Sequence, residues 1–238
     1  MTTNWNKLRK LVVTVCHGIP KRFDNLNDSS SWYLQHTRDN VQSLLIEHIR
    51  RGVEIAASDP SSLFISSGGQ TIREAGPRSE AQGYWLIAEQ FKWWSKPEVR
   101  LRSTTEEFAL DSYQNLLFSI CRFKECVRSY PEQVIVVGWG YKAQRFDFHR
   151  ASIRFPKERF HYESINNPVD IIMAQTQENL TIDAFHSDPY GVGKKNGGKR
   201  LMRNPFKRQS GYHTSCPELG DLLKHQGPEI FLGQLPWD

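Results

Sequence analysis

Two small hydroxyls and two glycines in a row, Ser66-Ser67-Gly68-Gly69, close an apolar run that begins at Leu63, and Ser79-Glu80-Ala81 follows shortly after. Only glycine lets another group approach the backbone closely, so such a loop can cradle an anion with its N–H groups; without a ligand it is a tight turn. Ser67, Gly68, Gly69 and Gln70 are the candidates there, with Arg73 just beyond. Glu80 follows a helix N-cap directly. A carboxylate in that place offsets the helix dipole or, turned to the loop, serves as a general base or ligand acceptor. His17 and Gly18 end another apolar run, where a histidine can exchange protons near neutral pH or simply bond a loop carbonyl. Cys16 beside it falls on the opposite face by strand alternation, which argues against a Cys–His pair. Glu107 is a further candidate for moving a proton.

Gly138-x-Gly140-x-x-Ala143 mimics a dinucleotide fingerprint, but it comes late and no acidic residue sits at the required distance. Lys142 and Arg145 in that loop are better read as contacts to an anion. Gly191-Val192-Gly193-Lys194-Lys195 lacks the spacing of a P-loop. The chain holds no Ser-His-Asp elbow and no His-x-x-x-His pair, so no metal site is expected.

These residues need strands and helices to place them. Apolar and β-branched runs predict strands over residues 11–16, 63–66, 99–102, 133–137 and 159–162. Helical periodicity predicts a helix from near Ser31 to Gly52 or Asp59 and another capped by Ser79. A long third one carries Leu116, Leu117, Ile120, Phe123 and Val127 and stops before Pro131, and a fourth spans 146–155. This alternation predicts an α/β fold: a three-layer, Rossmann-like, doubly wound and mainly parallel sheet over residues 1–168. Residues 169–238 read as a C-terminal appendage packed on the same domain. It comprises a helix over 170–185, a stretch rich in Gly, Lys and Arg over 191–211, and a last short helix after Ser215.

The 238 residues are 38% hydrophobic and 12% aromatic, enough for a real core. The net charge of +5 is local, with Lys194, Lys195, Lys199, Arg200, Arg203, Lys207 and Arg208 crowding one segment. That favours a small anionic ligand or a solvated loop over a nucleic-acid-binding surface. The segment either docks over the strand ends or stays a free basic loop. Cys16, Cys121, Cys126 and Cys216 form no paired motif and read as reduced thiols of a cytoplasmic protein. The first apolar run is too short for a signal peptide or a span, so no membrane partner is expected.

The motifs together resemble the YdcF- and SanA-like proteins. The family pattern is Ser-Gly-Gly, then Ser-Glu-Ala, then an Asn-Thr-x-x-Asn helix start, then a Val-Thr-Ser-x-x-His-x-x-Arg loop. Here these stand as Ser67-Gly68-Gly69, Ser79-Glu80-Ala81, Asp111-Ser112-Tyr113-Gln114-Asn115 and the nine residues from Val137 to Arg145. Lys142 takes the place of the family's His, and Gly138-Trp139 that of Thr-Ser. The strand-one His, the segment 75–82 and Arg203-Asn204-Pro205-Phe206 look closer to fungal members; SanA-type members carry a membrane anchor, for which this sequence has no run.

The resemblance implies a pocket at the strand ends, with Gly68, Gly69, Glu80 and Asn115 in it. It also implies a small anionic or nucleotide-like ligand, with S-adenosylmethionine the leading cofactor candidate. No established reaction comes with the family, which leaves a transferase or hydrolase of unassigned reaction. The alternative is a non-catalytic ligand sensor, or a protein or RNA interaction module using the basic segment.

Overall fold

A computed structural model describes residues 4–34 and 41–238. The first strand, β1 (Lys10–Val15), leads into a small antiparallel hairpin of β2 (Gly18–Pro20) and β3 (Trp32–Leu34). Then come α1 (Gln42–Ser58), β4 (Ser62–Ser67), α2 (Glu80–Gln90), α3 (Pro97–Arg100) and β5 (Ser103–Glu106). They are followed by α4 (Ser112–Val127), β6 (Gln133–Gly138), α5 (Ala143–Ser152) and β7 (Phe160–Ser164). The remainder holds α6 (Ile171–His186), α7 (Lys194–Met202), α8 (Tyr212–Ser215) and α9 (Gly220–Lys224).

The five main strands lie in the order β5-β4-β1-β6-β7, all parallel. With β1 central and the chain winding outward to each side, this is the Rossmann-like doubly wound sheet that the alternation predicts. Its central strands are buried on both faces, as a parallel sheet requires. Leu11, Val13 and Val15 of β1 pack with Leu116, Ile120 and Phe123 of α4 and with Phe146 of α5. Val12 and Phe64 turn the other way, onto Leu45 and Ile49 of α1 and Tyr84 and Ile87 of α2.

Local chemistry sets the ends of the elements. Ser79 Oγ accepts from the Gln82 N–H at 3.0 Å and starts α2, as its capping pattern predicts. Asp111 does the same for α4 through the Gln114 N–H at 2.9 Å. The far end of α4 closes on Arg128 in the left-handed region, φ 72°, just ahead of Pro131.

Two expectations need correction. Residues 99–102 are not the third strand: Pro97 starts a short helix there, and β5 follows over the β-branched Thr104 and Thr105. The first helix does not begin near Ser31. Asp28 caps a single 3-10 turn at Ser29–Ser31, and Trp32, Tyr33 and Leu34 then pair with β2. The predicted start lies partly on residues 35–40, outside the described residues.

The C-terminal segment completes the core beside the sheet. Tyr212, Cys216, Leu219, Leu222, Leu235 and Trp237 are buried in the same cluster as β1 and α4. Trp237 donates its indole N–H to the Ile153 carbonyl at 2.9 Å. All four cysteines are free thiols.

Candidate functional site

A parallel sheet of this winding opens a crevice at the carboxyl ends of its strands, where neighbouring crossovers diverge. Here the crevice lies between β1 and β6 and holds a cavity of about 240 Å3. Cys16 and His17 enter it from β1, Gly68 from β4, Ser112 and Asn115 from the start of α4, and Trp139, Tyr141, Lys142 and Arg145 from the turn after β6. Over the top, α6 contributes Gln177 and Glu178, α7 contributes Asn196 and Lys199, and Arg203 follows at its C-cap. These last three stand three and four residues apart, one face of a helix.

His17 is half-buried, its backbone N–H bonded to the Tyr84 hydroxyl at 3.1 Å. Lys142 Nζ stands 3.1 Å from its Nε2. Burial first, then Lys142, His48, Arg145 and Arg203, hold its pKa well below that of an ordinary histidine. The ring is therefore neutral and able to accept a proton. Cys16 also lines the cavity, because β1 ends at Val15 and strand alternation no longer governs the next two residues. Burial, together with Glu80 and Glu106, pushes its thiol well up, so it stays protonated and is no nucleophile.

Glu80 is buried at the first turn of α2, and one carboxylate oxygen accepts from the Thr71 hydroxyl. It lines the cavity as well as standing at the positive end of the α2 dipole.

Arg145 is held by Glu178 through two parallel bonds, 2.6 and 2.9 Å, with both side chains buried. Its third nitrogen donates to Ser112 Oγ at 2.6 Å, and His149 Nε2 lies 2.7 Å from the same oxygen. His149 is kept neutral by burial, then by Arg145 and Arg200, and its Nδ1 has no partner among the described residues. An orphaned N–H is rarer in folded proteins than an unfilled lone pair, which places the proton on Nε2. Ser112 Oγ then takes two donors, and its own hydrogen has only the cavity to point into. Ser112 is thus placed to donate into the cavity and is not set up as an activated nucleophile.

The cavity's charge balance follows from which side chains are already paired. Arg145 is matched by Glu178, and Asp111 by Arg200 at 2.6 Å. The Lys199 side chain, which lines the cavity, makes no hydrogen bond or ion pair among the described residues. Arg203 makes one bond, to the Leu110 carbonyl at 3.1 Å. Burial, Arg203, Lys195 and Arg145 push the Lys199 pKa below that of a free lysine, the mark of cations held close together.

Some sequence candidates lie elsewhere. The loop amides offered to an anion are already paired: Gly68 N–H donates to the Glu106 carbonyl at 3.0 Å and Gly69 N–H to that of Ala109 at 2.8 Å. These glycines serve packing. A Cβ on Gly68 would stand 2.7 Å from a Glu80 oxygen, and one on Gly69 2.8 Å from the Ala109 carbonyl.

Ser67 is fully buried and donates to Glu106 at 2.8 Å, while Asn115 Nδ2 donates to the Ser67 hydroxyl at 2.9 Å. Gln70 bonds the Pro77 carbonyl, and Gly18 packs under Leu34. Neither they nor Ser67, Gly69 and Arg73 line the cavity. Glu107 does not either; it accepts from Thr105 and faces Arg208. Its neighbour Glu106 is the buried acid. It gathers Ser67, Tyr212 and the Phe108 and Ala109 N–H groups, and burial raises its pKa to about 7.

Sequence reasoning did not name Ser112, Lys199 and Arg203 as site residues. A signal for the last two was present: Asn196, Lys199 and Arg203 share one helical face inside the basic segment. Gly197 and Gly198 hid it by disguising the helix as a loop.

Comparison with known proteins gives one sequence relative. The chain is similar to YOR238W, an uncharacterised protein of the yeast Saccharomyces cerevisiae (strain ATCC 204508 / S288c). The two are 26% identical over 274 residues, covering 90% of each chain. No family model matches, and no solved structure matches.

Proposed function

We propose that this protein is an enzyme acting on a compact anionic molecule bound at the carboxyl ends of β1 and β6. The observation that carries this reading is the pair Lys199 and Arg203, half-buried on the cavity face of α7 without a carboxylate partner among the described residues. Positive charge gathered in a low-dielectric cleft is stabilised by an anion arriving from outside. The volume of about 240 Å3 is just below the range of roughly 300–1,000 Å3 that encloses a drug-sized ligand. It suits a small anion or the anionic head of a larger molecule.

In this reading Lys199 and Arg203 hold the charge and the Ser112 hydroxyl donates to it. His17 takes a proton from the reacting hydroxyl or water. Burial, and then the Lys142 ammonium against the imidazole, keeps it unprotonated until the ligand's negative charge arrives. An anion among these groups raises the His17 pKa toward neutrality, so binding and protonation are linked. Calorimetry near pH 6 in buffers of differing ionisation enthalpy would then show net proton uptake on binding, and His17→Gln would abolish it.

The YdcF-like resemblance brings S-adenosylmethionine as a candidate. Its sulfonium would come up against Lys199 and Arg203, whereas a phosphoryl or carboxylate ligand would be drawn to them. A thermal-shift panel separates them: inorganic phosphate, diphosphate, sugar phosphates, nucleotides, dicarboxylates and S-adenosylmethionine. A ligand present at a hundred times its dissociation constant adds about 2.7 kcal/mol of stability. The proposal expects hits among the anions that disappear in the double variant Lys199→Ala, Arg203→Ala. A response confined to S-adenosylmethionine, or one that survives that variant, contradicts it.

A further inference from the structure

The cavity opens over both faces of the sheet, and its two walls differ in character. Ser112 starts α4, and Arg203 bonds the Leu110 carbonyl just before it, so the cationic wall stands on the α4 side. Leu34, Val41, Leu45, Trp139 and Tyr141 line the cavity from the other side, where they join the apolar cluster built on α1 and α2. The walls meet at His17. Its ring lies 6.2 Å from that of Trp139, and the charges of Arg145 and Arg203 reach it.

Trp139 tells what the apolar wall is for. The buried Trp32, Trp93 and Trp237 each donate their indole N–H to a protein oxygen, at 2.8, 2.6 and 2.9 Å. Trp139 is just as buried, 5% exposed, yet its N–H makes no hydrogen bond among the described residues. That N–H is unpaired but not sealed in. A buried indole N–H ordinarily finds a partner, so an acceptor brought by a ligand fits this wall.

A bare oxyanion would fill the cationic wall and leave Leu34 and Leu45 wet. A sugar phosphate would set hydroxyls against those side chains, which offer no partner. A cavity of roughly 150 Å3 already holds benzene, so about 240 Å3 takes one ring together with its anionic group. Two cations and a hydroxyl donor suit the three oxygens of a phosphoryl group, and an ester oxygen supplies the acceptor that Trp139 lacks.

We infer that the ligand is a phosphate monoester of a compact apolar alcohol, phenol in size. The phosphoryl head lies on Ser112, Lys199 and Arg203, and the ring lies against Leu34, Leu45 and Trp139. This rests on the anion-binding reading and narrows it to a substrate class.

Titration calorimetry of the full chain with inorganic phosphate, glycerol phosphate and phenyl phosphate tests it. Phenyl phosphate should bind about tenfold or more tighter than either of the others. Trp139→Phe keeps a ring without the N–H, and Leu34→Ser strips the wall at a half-buried position. Each should shrink that advantage by about threefold or more. The three-ligand comparison needs no variant, so misfolding of either one leaves the test standing. If phosphate binds and phenyl phosphate binds no tighter, the inference falls while the anion reading stands. Tighter binding of glycerol phosphate, or an advantage that both variants leave intact, also overturns it. If none of the three binds, the anion reading fails and takes this inference with it.

Discussion

Glu106 and His48 show how single buried groups tie stability to pH here. Burial raises the Glu106 carboxyl to about 7 from an ordinary 4.5, so between these values the native state keeps a proton that the unfolded chain releases. Its contribution is full below pH 4.5 and is lost as the pH rises through about 7. His48 works the other way. It is buried against Trp139 and bonded to Asn166, and its pKa falls from 6.5 to about 4, so its contribution is present above 6.5 and is lost on acidification toward 4. Glu106→Gln should therefore remove the fall in melting temperature that this carboxyl contributes between pH 4.5 and about 7 and leave the slope above that range alone. An unchanged slope between those values would show that the carboxyl is ionised in the fold. Adjacent acids look alike in a sequence, and the choice of Glu107 over Glu106 as the candidate proton carrier could not see which one the strand carries inward. His17, by contrast, was legible, because a histidine at the end of the central strand has few other places to point.

At the scale of elements, α7 decides whether the cavity is closed and charged. It is held by the Arg200–Asp111 pair at 2.6 Å, by Arg200 on the Tyr190 carbonyl at 2.7 Å, and by Arg203 on Leu110. The segment 194–208 should accordingly resist trypsin despite its lysines and arginines, and Arg200→Ala should expose it to cleavage. Rapid cutting of the unaltered chain there would favour a free basic loop. The second anchor is the buried Arg145–Glu178 pair joining α5 to α6. Glu178→Ala leaves a guanidinium unmatched and should cost about 3–5 kcal/mol by denaturant titration. The sequence showed these residues only as charges. Their pairing spans 33 and 89 positions of chain and depends on how α6 and α7 cross the sheet. Four of the five main strands and the Ser79 cap were legible because apolar period and capping chemistry are local, whereas Ser215 caps nothing and ends the turn Tyr212–Ser215 instead. The hairpin of β2 and β3 was not legible, since three residues on each side carry no period.

For the whole molecule, the winding of the sheet puts the ends of β1 and β6 together, and the C-terminal segment then roofs the crevice and closes the core beneath α4. Chain ending at Arg208 would bare the cluster that Tyr212, Cys216, Leu222 and Trp237 complete, and is expected to be insoluble or unfolded by circular dichroism. The α/β class and the crevice followed from the alternation of strands and helices. An anion was expected from the basic residues of the sequence, but which of them face the crevice followed only from the placement of α7. The central claim is that Lys199 and Arg203 bind an anion in that crevice, and titration calorimetry with inorganic diphosphate tests it most directly. The account predicts saturable binding by the unaltered chain, weakened by about tenfold or more for each cation removed. Equal binding by the Lys199→Ala, Arg203→Ala chain would contradict it, as would no heat with diphosphate alongside a clear signal from a cationic ligand.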